Sequence, residues 1–404
     1  MRRALVVALH DGFYSAATGA GLSNQTLLMT VAAHLPDDTD LVVLPVRLDP
    51  TSPEYDPAVL HRTLSVLDGT THKILPLDNG TDGRTRFGDL MAFQVLAKDA
   101  ARVIRDLTHE YCAGTLLAID RPFVGLGHHL PEGASWRAVY LPRSTALHHD
   151  DFEQVTWERE NLAGWLDGGA TLGATSTHMR ELLIRNHRVP ANRIIDVPNG
   201  LAGLPAPLSA APPIPSAAED GFMLAFGRAA PYKGFDDLLD ALELVHTPGV
   251  PVPHLLLAAV TDTDETTTYQ RHLARRCVGR TVTLWTRFNP GLPGLLRHPA
   301  LRAVIVPSRI EPFGRIPLEA FTVGAGPVIA TTAGGLTDTV VDGVTGFSAE
   351  PGDPASLADA IHGALGAESH TKARMARAGQ QLAADRDYTR TITALVDQLH
   401  GGAT

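Results

Sequence analysis

The chain has 404 residues, which at roughly 150 per domain makes two or three domains. Its 44% hydrophobic and 19% charged residues, with a mean hydropathy of zero, exclude a disordered, a fibrous and a polytopic membrane protein. Acidic residues number 44 against 34 basic, a formal net charge of −10, so no general attraction to nucleic acid or anionic lipid is expected, while local basic sites for phosphate stay open. Only four of the basic residues are lysines (Lys73, Lys98, Lys233 and Lys372), an Arg-heavy, Ala-rich balance of the kind a GC-rich, actinomycete-like genome produces. Two cysteines, Cys112 and Cys277, have neither C-x-x-C nor histidine spacing. They argue against a disulfide scaffold and a zinc site, and are expected as buried free thiols.

The opening Met1-Arg2-Arg3 before an apolar run has the look of a secretion signal, but the run is too short and lacks a cleavage site. It reads as a buried strand ending near Leu9. Asp11 to Gly21 reads as a loop, Ser23 to Leu35 as a helix and Asp40 to Leu48 as a second strand, the opening βαβ of a doubly wound sheet. Gly19 and Gly21 in that loop read equally as a tight turn or as a phosphate contact. Strands follow at Thr115–Ile119, Arg137–Leu141, Ala170–Ala174 and Arg193–Val197, interleaved with helices over Leu90–Leu107 and Thr177–Asn186. Residues 201–220 carry five prolines and six alanines and read as an interdomain linker.

Beyond the linker a second alternating series begins with a strand over Gly221–Gly227. Helix Asp236–Val245, strand His254–Val260, helix Thr266–Arg276 and strand Thr281–Trp285 follow. Short strands at Ala303–Pro307 and Gly326–Ala330, a helix over Pro354–Leu365 and a final helix near Asp387–His400 complete it. The fold class is α/β, two doubly wound domains, and such an architecture places a ligand cleft at the carboxyl ends of its sheets.

Three groups of residues at strand-to-helix junctions of the second half carry chemistry. Phe226-Gly227-Arg228-Ala229-Ala230-Pro231-Tyr232-Lys233-Gly234 sets an Arg and a Lys where both can face one anion. Two fixed cations beside a departing diphosphate stabilise its developing charge more than its ground state; the competing reading is a pair of solvated loop charges. Pro307-Ser308-Arg309-Ile310-Glu311-Pro312-Phe313-Gly314-Arg315-Ile316-Pro317-Leu318-Glu319 puts Glu311 in a loop and Glu319 on a helix. The amides of Gly314, Arg315 and Ile316 then open that helix, where orphan N–H groups favour phosphate. Carboxylates there suit pairs of sugar or ribose hydroxyls, against the plainer readings of a solvated Glu319 and a capping Glu311. Gly334-Gly335 reads as a glycine turn entering a helix, and Gly343 and Gly346 as a second glycine turn.

In this order and spacing, G-R-x-x-x-Y-K-G, E-x(7)-E and G-G-x-x-D-x-V-x-D-G-x-T-G resemble the retaining GT-B glycosyltransferases that use nucleotide sugars, the large fourth family. The likeness runs from about Ala174 to Phe347, including Val197-Pro198-Asn199-Gly200, and is architectural before that. It implies two Rossmann-like domains facing each other across a cleft: 1–200 for the acceptor, the linker 201–220, and 221–385 for the donor. A C-terminal helix, 386–404, would return to the first domain. By resemblance Arg228 and Lys233 hold the diphosphate, Glu311 contacts the transferred sugar and Glu319 the ribose. Phe313, Gly314, Arg315 and Ile316 would lend their backbone to sugar and phosphate, and Gly227 would belong to the same donor site. Trp285 to Phe288, with Arg287 and Phe288, borders the base, and Gly19 and Gly21 match the N-terminal glycine loop. The family implies a metal-independent, retaining transfer from a UDP, GDP or ADP sugar and no other cofactor.

This sequence departs from the family at Arg143-Ser144, where relatives carry a histidine, and Asp338 stands where many have Glu. Asp120, Arg143 and Ser144 are the acceptor-side candidates; for Asp120 the alternative is a turn cap. His148 and His149 read as solvated loop histidines. Asp262-Thr263-Asp264 imitates a metal-binding D-x-D but sits in an acidic loop, and His128-His129 lack a third ligand, so no metal site is expected. The first half shows no basic amphipathic helix, so no stable membrane association is expected; the protein is expected to be cytoplasmic and a monomer or homodimer. Its expected acceptor is a small soluble molecule, in an actinomycete antibiotic or thiol pathway. The alternatives are a nucleotide-sugar 2-epimerase of the same architecture and a catalytically silent sugar-nucleotide-binding paralogue.

Overall fold

The structure is a computed structural model that describes residues 2–16, 18–130, 135–149, 152–202, 210–245, 252–261 and 265–401. It divides into two units, Met1–Asn199 with Tyr388–Thr404, and Gly200–Asp387.

The first unit is built on a seven-stranded parallel sheet. Its centre is β1 (Arg3–Leu9), in unbroken register with β2 (Thr39–Pro45) on one side and β4 (Ala113–Ile119) on the other. β3 (His72–Ile74) closes one edge, and β5 (Trp136–Leu141), β6 (Thr171–Ala174) and β7 (Ile194–Asp196) extend the other. The central strands are apolar throughout because helices cover both faces. Val6, Ala8, Val42 and Leu116 pack on one face against α3 (Leu90–Glu110), α4 (Phe152–Asp167) and α5 (Thr177–Arg185). Leu5, Val7, Leu41 and Leu117 pack on the other against α1 (Gly19–Ala33) and α11 (Tyr388–Gly401), so the last helix does return to the first sheet. Full burial of Tyr388 and Ile392 in that layer holds it there by the hydrophobic effect.

Several local expectations are corrected. α1 begins at Gly19 rather than Ser23: Thr18 is its N-cap, accepting from the Gly21 amide at 2.9 Å and donating to Asp11 Oδ2 at 2.7 Å. Gly19 and Gly21 therefore form the first helical turn, and a Cβ on Gly21 would lie 2.6 Å from the Asp11 carboxylate. α2 (Pro57–Leu67), capped by Asp56 with Pro57 at its first position, was not predicted, nor were α4 and α10 (Ser369–Asp385). Cys112 is exposed and Cys277 only partly buried, because both lie at element ends rather than in the core.

The second unit carries a six-stranded parallel sheet of order β10-β9-β8-β11-β12-β13. The strands are β8 (Phe222–Arg228), β9 (His254–Thr261), β10 (Val282–Arg287), β11 (Leu301–Val306), β12 (Val328–Thr331) and β13 (Phe347–Ala349), with helices α6 (Phe235–Leu244), α7 (Thr268–Cys277), α8 (Arg315–Thr322) and α9 (Pro354–Gly366). The turn at Gly334-Gly335 leads into a short 3-10 segment, Gly334–Asp338, instead of the expected α-helix. The Gly335 amide is taken by the carbonyl of Glu311 at 2.8 Å, which fixes that turn against the neighbouring loop. In both sheets the first strand is central and neighbours the fourth, so each has a switch point between β1 and β4, or β8 and β11, where a crevice opens at the strand ends.

Candidate active site

At the switch point of the second sheet, β8 delivers Arg228, exposed and with no ion pair among the described residues. Gly227 precedes it inside the strand. The chain then makes a 3-10 turn, Pro231–Lys233, and passes through Gly234 at φ +68°. A Cβ on Gly234 would sit 1.8 Å from the carbonyl oxygen of Pro307, so only glycine lets this turn press on the end of β11. That approach brings Lys233 Nζ to 2.5 Å from Glu311 Oε2, with both side chains largely covered. Two further ties fix the loops together. The Arg309 amide donates to the Tyr232 carbonyl at 2.7 Å, and the Arg309 guanidinium grips Asp237 through two bonds of 2.7 and 2.5 Å.

Gly314, at φ +83°, is the N-cap of α8 and supplies no side chain to its first amides. The opening N–H groups from Arg315 and Ile316 onward thus have no side-chain cap, and the macrodipole adds partial positive charge there. One turn on, Glu319 is buried and accepts from Arg315 Nε at 3.3 Å. Phe313 is a core side chain at 5% exposure, so only its backbone is offered to a ligand. Arg287 ends the edge strand β10 and Phe288 follows it, 54% exposed. Three strand spacings separate β10 from β11, about 14 Å at ~4.8 Å each, so these two residues stand apart from the Lys233–Glu311 pair.

In the first unit, Asp120 leaves β4 at φ +74°, a conformation that costs a non-glycine residue about 1–3 kcal/mol. Its Oδ1 accepts from the amides of Arg121, Arg143 and Ser144 at 2.9, 3.1 and 3.3 Å. Asp120 therefore does cap the segment after β4, as its plainer reading had it. The buried Arg143 guanidinium turns inward, donating to Asn24 Oδ1 at 2.9 Å and to the Tyr388 hydroxyl at 2.7 Å. It ties α1, β5 and α11 together. Ser144 offers its backbone amide in the same loop. The sequence reading missed His10 and Asp11, buried just beyond β1, and Arg86, buried in the connection before α3 with its Nε 3.4 Å from Asp11 Oδ2. The polar pair His10-Asp11 closing an apolar strand was the available signal; nothing local marked Arg86.

His148 is buried, not solvated: its Nδ1 accepts from the Thr145 amide at 3.0 Å. The side chain of His149 and residues Asp262-Thr263-Asp264 lie outside the described residues. No group of three metal-ligating side chains, His128 and His129 included, occurs among the described residues, and no helix is long and apolar enough to cross a membrane. Behind Asp120, burial pushes the Glu158 carboxyl up to about 7 despite Arg121 beside it, and burial lowers His187 to about 4.

The family model of glycosyl transferases group 1 matches residues 211–382, nearly the whole second unit. The likeness to glycosyl transferases group 1 therefore lies in the C-terminal unit. The chain is 38% identical over 92 residues to glycogen synthase of Mycobacterium tuberculosis, a stretch covering 23% of this chain and 22% of that protein. It spans less than half the length of the curated relatives it matches. Over the whole chain the fold is GT-B. Sucrose-phosphate synthase from Thermosynechococcus elongatus superposes with a TM-score of 0.75 at 18% identity, covering 99% of this chain and 98% of that one. Anabaena HepE, solved with UDP-glucose, gives 0.68 at 18% identity with 98% of each chain covered.

Within the second unit the arrangement sets cationic and N–H groups beside two carboxylates, a combination suited to an anion and to hydroxyl donors. Arg228, Lys233 and the α8 amides supply positive charge. Glu311 and Glu319 supply carboxylates eight positions apart on either side of those amides.

Proposed function

We propose that this protein is a retaining, metal-independent glycosyltransferase that moves a hexosyl group from a nucleoside-diphosphate sugar to a small soluble acceptor. The observation that carries the reading is the convergence of Arg228, Lys233, the uncapped start of α8 and the carboxylates Glu311 and Glu319 at the ends of β8 and β11. Cleaving the sugar–phosphate bond leaves charge on the diphosphate, and cations held in place beforehand stabilise that charge without reorganising. In this reading Arg228 and Lys233 take the diphosphate, Gly314, Arg315 and Ile316 donate backbone N–H groups, and Glu319 accepts from the ribose hydroxyls. Glu311 accepts from the transferred sugar, and Arg287 and Phe288 border the base. The match to glycosyl transferases group 1 and the likeness to HepE, solved with UDP-glucose, support this donor class. With its Arg-rich, Ala-rich composition, we infer a tailoring step in actinomycete natural-product biosynthesis as the setting.

The test is thermal unfolding of the purified chain with UDP, GDP, ADP and dTDP in turn, with Glu319→Ala as control. A ligand that binds only the native state raises the melting temperature by linkage, about 2.7 kcal/mol of stabilisation at a hundredfold excess over Kd. One nucleotide is expected to raise Tm in the parent and to do so weakly in the variant. No shift with any nucleotide, in folded protein, overturns the donor assignment.

A further inference from the structure

A buried cluster under the α4 face of the first sheet holds a carboxyl between two competing partners. Glu158, on α4, accepts from the Ala146 amide through Oε2 at 2.8 Å. The same Oε2 lies 3.7 Å from Nε2 of His187, just beyond α5, and Oε1 lies 3.8 Å from Nε of Arg121, just beyond β4. Both gaps are longer than a hydrogen bond and nearly equal, so the carboxyl is committed to neither neighbour. The His187 side chain is fully covered, and both of its ring nitrogens lack a hydrogen-bond partner among the described residues. A neutral imidazole has one N–H and one lone pair, so this ring has a donor and an acceptor to satisfy and Glu158 as its nearest ionisable neighbour. The other groups around Glu158 are Tyr140 on β5, whose buried hydroxyl also lacks a partner among the described residues, and Asp120 at the end of β4. His148, two residues after Ala146, packs its ring on His178 of α5, and Gln154 on α4 accepts from Arg121 Nη2.

Charge decides between the two partners. Arg121 has only donors, so it attracts the ionised carboxylate and offers nothing to an acid proton, whereas a neutral His187 offers that proton a lone pair. Burial raises Glu158 to about 7, with Arg121 and the Ala146 amide opposing the rise and Asp120 adding to it, so both of its forms are populated near neutrality. Burial lowers His187 to about 4, with Arg159 acting in the same direction, so its ring is neutral beside either form. We propose that Glu158, His187 and Arg121 form a proton-operated switch under the first sheet. In the acid form Glu158 Oε2–H donates to His187 Nε2, and the ring carries its own proton on Nδ1. In the ionised form the Glu158 proton has passed to Nε2 and the Nδ1 proton has left to solvent, a net loss of one proton; Nε2–H then donates back to Oε2, and Arg121 closes on Oε1. The moving groups are tied to the connections leaving β4 and β5. Arg121 directly follows Asp120, and Ala146 ends the Arg143-Ser144-Thr145 segment whose first two amides Asp120 holds. The switch thus sets the position of both connections in the neutral pH range, and nothing in it depends on the glycosyl-transfer reading.

The experiment is nitrogen-15 NMR of the full-length chain with labelled histidine rings and backbone amides, between about pH 5.5 and 8.5. It compares the parent with Glu158→Gln and Arg121→Gln, and uses His187→Gln to assign the ring signals. In the parent the His187 ring is expected to stay neutral throughout while its proton moves from Nδ1 to Nε2 in one step near pH 7, with the Ala146 amide shifting at the same midpoint. Glu158→Gln is expected to abolish the step. Arg121→Gln is expected to move the midpoint up by about one pH unit, because the ionised carboxylate loses its cation. A merely structural Glu158 would leave the ring in one tautomer across the range. A single tautomer in the parent, a ring that becomes cationic within the range, or a step that survives in folded Glu158→Gln overturns the proposal. Should Glu158→Gln fail to fold, Arg121→Gln decides: a parental step whose midpoint does not move in that variant overturns the proposal as well.

Discussion

Replacing Lys233 by Ala removes the cation that stands 2.5 Å from Glu311 and, in the proposed reaction, beside the departing diphosphate. Two consequences follow, of different size. For stability, the pair is mostly covered but not sealed, with side chains 18% and 14% exposed, so its Coulomb attraction is partly screened. Losing it leaves Glu311 with the hydroxyl of Ser308, 3.4 Å from the same oxygen. A cost of about 1 kcal/mol is expected, or 2–4 °C in Tm for a unit of this size. For turnover, removing one preorganised group from a developing anion typically costs about 10²–10³ in kcat. The assay is initial-rate nucleotide release alongside thermal unfolding, for Lys233→Ala, Glu311→Gln and the double variant. If Lys233 acts on the diphosphate, the double variant is slower than either single one; if it only holds Glu311, the double variant matches Glu311→Gln. A folded Lys233→Ala within threefold of parental kcat refutes the diphosphate role.

Gly234→Ala forces a Cβ to within 1.8 Å of the Pro307 carbonyl at φ +68°, so it is expected to lower Tm by more than Lys233→Ala does and to abolish nucleotide binding with it. A Tm within 2 °C of the parent would contradict that close approach. Arg309→Ala unties the loop of Glu311 from Asp237, and kcat is expected to fall about tenfold with nucleotide Kd little changed, Arg309→Lys recovering part of the loss; equal kcat in all three refutes a positioning role. For Glu158, a folded pKa raised to about 7 means that the native state binds the extra proton between pH 4.5 and 7, so its contribution to stability falls as pH rises through that window. His187, lowered to about 4, does the opposite between pH 4 and 6.5. Chemical denaturation of His187→Gln at pH 5 and 7 is therefore expected to show lower stability at pH 7 than the parent's own trend, and Glu158→Gln higher; unchanged slopes would show that neither group titrates in that way.

Much of this molecule is legible in the chain itself. Parallel strands buried on both faces must be apolar throughout, so β1, β4, β8 and β11 stand out as short hydrophobic runs, and the Pro/Ala-rich stretch between the two series stands out as their punctuation. Glycine at 234 and 314 is local too, because φ of +68° and +83° is a property of the residue's own backbone. Helix boundaries were less legible. α1 starts at Gly19 because the Thr18 cap is held by Asp11, a contact that periodicity does not carry.

What only the tertiary structure decided are the contacts between distant residues. Lys233 meets Glu311 across 78 positions because the strand order sets β8 beside β11 and because Gly234 lets the loop press on Pro307. Arg143, read from sequence as an acceptor-side residue, turns inward to Tyr388 on a helix that the chain supplies only at its end. His10 and Asp120 face each other because β1 and β4 pair in exact parallel register, Leu9 against Ile119. Local pattern reports which face of an element is apolar; which elements become neighbours is settled by how those faces are buried together, and the side chains that face each other at the strand ends follow from that.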